Sequence, residues 1–118
     1  MERIIIYYKS ENKKCFIKEF IDSLNPLVQQ KILWTLKLLK EIQFLKEPYF
    51  KKLTNTNDIW ECRIKYGTNI YRILFFLDKN NTVILTHGFI KKTQKTPKNE
   101  IFKAEEIKYK YFKNKGGK

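Results

Sequence analysis

Histidine occurs once in these 118 residues, as His87, and cysteine twice, as Cys15 and Cys62. That scarcity leaves no zinc or other transition-metal constellation, since such sites draw several His and Cys ligands from short spacings. It leaves no disulfide framework either. Cys15 reads as part of a helix and Cys62 as inward-facing on a strand, both small buried hydrophobes of a reducing compartment. Of four glycines, two fall in the last three residues, so no glycine-rich phosphate loop exists. The serines, Ser10 and Ser23, lie in loop or helical contexts remote from His87, which argues against a Ser–His–Asp triad. Paired carboxylates for glycosidase or two-metal chemistry are missing, because Glu61 stands alone among basic groups. No run approaches the roughly 20 apolar residues of a membrane span, and the opening MERIIIYYKS is too short for a signal peptide. The expectation is a cytoplasmic protein with no membrane association, no metal and no cofactor.

Negative charge is also in short supply. Against 25 Lys and Arg stand 12 Asp and Glu, a net charge of +13. Such an excess calls for an anionic partner: RNA, DNA, a membrane surface or an acidic protein. Hydrophobic residues make up 42% and aromatics 15%, enough for a core in one domain of this length.

Periodicity then orders the elements. Arg3–Tyr8 reads as a strand, and Asn12–Leu24 as a helix with Phe16, Ile17, Phe20, Ile21 and Leu24 on one face. Asn25–Pro26 closes it and opens a second helix to about Lys46, Asn as N-cap and Pro at the first helical position. Val28, Ile32, Leu36, Leu39 and Ile42 form its apolar stripe, and Trp34 and Phe44 read as packing residues. Tyr49–Leu53, Ile59–Tyr66, Ile70–Leu77 and Thr82–Ile90 follow as strands of a meander. The last two are apolar on both faces, as central strands covered by helices are. Thr96 and Pro97 open a final helix carrying Ile101, Ala104, Ile107 and Tyr111. The fold class is therefore α+β: one domain over residues 1–112, ordered β-α-α-β-β-β-β-α, with a mainly antiparallel twisted sheet packed by helices. Residues 113–118 form a basic tail expected to be disordered.

The hairpin holds the most pointed feature. If Ile59–Tyr66 and Ile70–Leu77 close symmetrically about Gly67–Thr68, Arg63 faces Arg72 directly. Like charges with Cβ atoms about 4.5–5.5 Å apart destabilise a sheet. A shared anion would explain the pair. A symmetric turn at Asp78–Asn81 would place His87 opposite Arg72, extending the row over three strands, with Lys91 and Lys92 beyond it. This set suits a phosphodiester. Metal-free RNA cleavage must deprotonate the 2′-OH, protonate the leaving 5′-oxygen and stabilise the phosphorane. Arg63 and Arg72 suit the phosphorane through planar contacts. Lys65 and His87 suit the proton transfers.

The residues WECRIKY and YRILFF, followed by LTHGFIKKTQKTPKNEIFKAEE, resemble the RelE/ParE toxin superfamily, and most of all its HigB-like, phage-derived branch. The resemblance runs over nearly the whole chain. It implies the toxin of a type II toxin–antitoxin system: a metal-independent, ribosome-dependent mRNA endoribonuclease that arrests translation. Its implied partners are mRNA in the ribosomal A site and a cognate helix-turn-helix antitoxin, bound in a hetero-oligomer. The family's Lys-x-Lys pair falls on Arg63 and Lys65, and its Tyr-Arg on Tyr71 and Arg72. Arg63, Lys65 and Arg72, together with His87 from the strand pairing, form the expected catalytic set, and Lys91, Lys92 and Lys95 the RNA-binding set. RelE also uses a C-terminal tyrosine for proton transfer, and KKTQKTPKNE contains none. A ParE-like poison of DNA gyrase and a non-catalytic RNA-binding module therefore stand as alternatives.

Overall fold

The computed structural model describes residues 2–91 and 95–116. Its elements are β1 (Ile4–Tyr7), α1 (Phe16–Asp22), α2 (Pro26–Glu41), β2 (Phe50–Lys52), β3 (Trp60–Tyr66), β4 (Asn69–Asp78), β5 (Thr82–Lys91) and α3 (Lys98–Gly116). The five strands form one sheet in the order β1-β5-β4-β3-β2, antiparallel except where β1 runs parallel to β5. The α+β class and the element order follow the sequence reading.

Both faces of the central strands are covered, as their two-sided apolarity requires. Ile17 and Ile21 of α1 and Val28, Ile32, Leu36 and Leu39 of α2 pack on Cys62, Ile64, Ile73, Phe75, Val83 and Leu85. On the other face, Ala104 and Ile107 of α3 meet Ile59, Leu74, Phe76 and Ile84.

Local chemistry explains where the helices differ from the periodicity. Residues 10–14 form a tight turn instead of a first helical turn: Lys13 has φ +64°, and the Lys14 amide donates to Ser10 Oγ at 3.1 Å. Cys15 thus precedes α1 as its N-cap instead of lying within it. Asn25 does cap α2, its side chain accepting from the Val28 amide at 3.0 Å, with Pro26 first in the helix. That helix stops at Glu41, before Lys46. Arg3 supplies the stop, its guanidinium donating to the carbonyl oxygens of Leu39 (3.2 Å), Ile42 and Gln43 (2.9 Å) left open at the helix end. Trp34 and Phe44 are not packed inside: they stay 53% and 70% exposed. The tail beginning at Lys113 is helical through Gly116, where α3 ends. Lys115 reaches Asp78 at the β4–β5 turn, which also accepts from the Tyr111 hydroxyl at 2.7 Å, so the last turns of α3 are pinned. The final two residues lie outside the described ones.

Candidate functional site

The β3–β4 hairpin closes about a two-residue turn at Gly67–Thr68, where Gly67 takes φ +63°, the left-handed conformation that glycine adopts without steric cost. Tyr66 therefore pairs with Asn69, and Arg63 stands opposite Arg72 as the alternation implied. The second register differs. The β4–β5 loop holds three residues, with Asp78 paired to Thr82, and a bulge between Leu74 and Phe75 inserts Thr86. Each change moves the register by one residue, so together they restore His87 to the same face while sliding it two positions along. His87 pairs with Leu74, and Phe89 occupies the place opposite Arg72.

Three rows cross the face beneath α3: Lys65–Ile70–Lys91, Arg63–Arg72–Phe89 and Glu61–Leu74–His87. They grade from wet to dry. Lys65 is exposed, Lys91 half-buried and Arg63 26% exposed, whereas Arg72 is 0% exposed. Lys95 is exposed, and Lys92 lies outside the described residues.

The anion between the arginines belongs to the protein. Glu61, 1% exposed, receives Arg72 Nη1 on Oε1 at 2.8 Å, and Arg63 Nε lies 3.2 Å from the same oxygen. Its other oxygen accepts from the Thr96 hydroxyl at 2.5 Å. Thr96 is thus turned to the carboxylate, and α3 begins only at Lys98, past the Pro97 expected to open it. Glu61 was the missed residue, and its signal was available. It shares strand parity with Arg63, and the Arg63–Arg72 pair places it one row away on the same face.

His87 is equally enclosed. Its Nε2 lies 3.0 Å from Glu100 Oε1 and its Nδ1 lies 3.1 Å from Thr86 Oγ1, a hydroxyl that itself donates to the Leu74 carbonyl. Burial pushes its pKa below the ordinary histidine value. The Glu100 hydrogen bond opposes that shift and the charge of Lys103 assists it. Both Glu61 and His87 thereby tie the start of α3 to the sheet. Cys62 points to the opposite face, where burial and the neighbouring Glu61 charge push its thiol far above the usual range and leave it unreactive. Among the described residues no three His, Cys, Asp or Glu gather to hold a metal, and no helix is long and apolar enough to cross a membrane.

The arrangement therefore offers an open cationic rim of Arg63, Lys65 and Lys91, with Arg63 held from behind by a buried Glu61–Arg72 pair. No curated protein matches the chain. The pattern of the phage-derived protein Gp49-like family (DUF891) matches residues 19–109, which takes in the second half of α1, all of α2, the whole meander and most of α3. The chain belongs to that Gp49-like family, and through it to the RelE/HigB-like superfamily, generally the toxins of toxin–antitoxin pairs.

Proposed function

We propose that this protein is a HigB-like toxin that cleaves mRNA on the ribosome without a metal and is held in check by a cognate antitoxin. The observation that carries the reading is the cationic rim fixed over a buried carboxylate. Arg63 contacts the scissile phosphate and stabilises its transition-state charge. Lys65, exposed in the adjoining row, transfers protons, while Lys91, Lys92 and Lys95 track the RNA backbone. Arg72 acts as a positioning residue through Glu61. His87 is given the same kind of role through Glu100, because an imidazole enclosed by Thr86 and Glu100 suits structure better than acid–base exchange with a substrate.

Primer extension on cellular mRNA after induction is the test. Transcripts should be cut within codons while translation proceeds and left whole when initiation is blocked. Arg63→Ala should lower single-turnover cleavage about 10²–10³-fold, the usual loss for one such donor. A second reading, a gyrase poison of the same fold, draws on the full burial of Arg72 and the enclosure of His87. Intact transcripts together with gyrase-linked DNA breaks would favour it.

A further inference from the structure

We infer that the cleft between the turn at residues 10–14 and α3 binds a planar aromatic ring carrying one phosphate, as a mononucleotide or as one nucleotide of a strand. The cleft holds about 500 Å³, within the range of small-ligand sites. Tyr8, just past β1, and Phe16, first in α1, line one wall together with Glu11 of the turn. Lys103, Tyr109, Lys110 and Lys113 of α3 line the other. Both walls are held by the protein's own hydrogen bonds. The Ser10 amide donates to the Lys14 carbonyl at 2.9 Å, and the Lys13 amide to the Ser10 carbonyl at 2.8 Å. On its other flank α3 is tied to Asn57, whose amide donates to Glu105 at 2.9 Å and whose carbonyl accepts from Lys108 at 2.8 Å. Walls fixed in this way leave little ordering cost for a ligand.

The lining chooses the ligand. Three lysines against Glu11 and Glu106 leave it net positive, and Glu106 is engaged by Lys110 at 3.9 Å. Lys103 Nζ lies 4.4 Å from the centre of the Phe16 ring, and Lys113 Nζ 5.8 Å from that of Tyr109. A ring attracts an ammonium group yet leaves its charge uncancelled. Among the described residues neither lysine is in an ion pair, so both present their charge to an anion. Tyr109 is 66% exposed, and its ring offers a stacking face beside those cations. Aromatic faces flanked by positive charge are the means by which proteins hold single nucleotides. Glu11 supplies the remaining contact. Burial first, and then the Glu11 charge, raises the Tyr8 pKa, so the carboxylate stands near that hydroxyl. A carboxylate so placed suits ribose hydroxyls as donors. None of Arg63, Lys65 and Lys91 lines the cleft, and the inference does not depend on the ribonuclease reading.

The test titrates the full-length, isotope-labelled protein with adenosine monophosphate, adenosine and inorganic phosphate at constant ionic strength, followed by NMR. The monophosphate should saturate, shift the amides of residues 8–16 and 103–113, and bind about tenfold more tightly than adenosine or phosphate alone. Tyr109→Ala and Lys103→Gln, both at exposed positions, should each weaken it about tenfold with unchanged far-UV spectra. Lys65→Gln should leave its affinity unchanged. His87, the only histidine, adds a second readout. Burial lowers its pKa, Glu100 opposes the shift and Lys103 assists it, so a phosphate on Lys103 should raise it. The trinucleotide ApApA identifies the source of the ligand. Affinity well above that of the monophosphate assigns a strand, and equal or lower affinity assigns a free nucleotide. Failure to saturate, phosphate binding as tightly as the nucleotide, shifts confined to the cationic rim, or binding indifferent to Tyr109→Ala would overturn the inference.

Discussion

The two faces of the sheet solve the same burial problem with different materials. Beneath α1 and α2 the contact is mostly apolar and free of buried charge, with Cys62, Ile64, Ile73, Phe75, Val83 and Leu85 meeting two helical stripes and Thr35 the buried polar side chain of α2. Beneath α3 a smaller apolar cluster shares the face with Glu61, Arg72 and His87, each buried and each hydrogen-bonded. Apolar packing is tolerant, since a side chain of about the right volume serves. A buried ion pair is not, because removing one partner strands a charge. The first face holds the fold, and the second fixes where a few polar groups stand.

That contrast can be broken most severely at its two centres. Phe75→Ala should cost about 3–5 kcal/mol through lost contacts and a cavity. Arg72→Ala should cost up to about 3–5 kcal/mol as well, by taking from buried Glu61 its closest cation and leaving it only Arg63 and Thr96. Replacing both partners separates the cases. Arg72→Met combined with Glu61→Leu should regain much of the lost stability in urea denaturation, yet cleavage should remain as low as in Arg72→Ala, because Arg63 has lost its anchor. Full recovery of cleavage in the double variant would refute the positioning role of the pair.

A smaller effect is expected at Gly88, which lies on the hydrocarbon side opposite Ile73. A Cβ built there would meet the Phe20 ring at 2.3 Å, so the close approach of α1 to β5 requires the absence of a side chain. Gly88→Ala should destabilise by about 1–3 kcal/mol, the cost of overpacking, and chemical denaturation would measure it. Cleavage by the folded fraction should be unchanged, since the displaced ring lies across the sheet from Arg63. Shifted kinetics without lost stability would mean that the two faces are coupled.

The two faces were not equally legible beforehand. Apolar periods of 3.6 and 2 placed the helices and strands, and the two-residue Gly67–Thr68 turn set the Arg63–Arg72 register. The β4–β5 register escaped because nothing in THGFI marks Thr86 as an inserted residue, and the loop took three residues in place of four. Helix ends were lost to distant partners: Arg3 at the end of α2 and Glu61 at Thr96 are contacts that no local window contains. Exposure of Trp34 and Phe44 was equally hidden, for periodicity marks an apolar stripe but not whether anything covers it.

The gentlest probe of the polar face is protonation of His87. Burial lowers its pKa in the folded chain, with Lys103 adding to the effect and Glu100 opposing it. In the unfolded chain the imidazole takes a proton near its ordinary value of about 6.5. Between the lowered value and that one, the unfolded state binds the extra proton, so stability rises with pH there. The contribution is complete above about pH 6.5 and is lost as the pH falls through the folded value. One proton sets a ceiling of about 1.4 kcal/mol per pH unit on the slope. Urea midpoints followed from pH 7.5 to pH 5 should decline, and His87→Gln should flatten that decline while keeping a donor for Glu100. A slope identical in the variant would show that other groups carry the acid sensitivity. A reversed slope would show instead that Glu100 outweighs burial, and that the ring sits protonated against it.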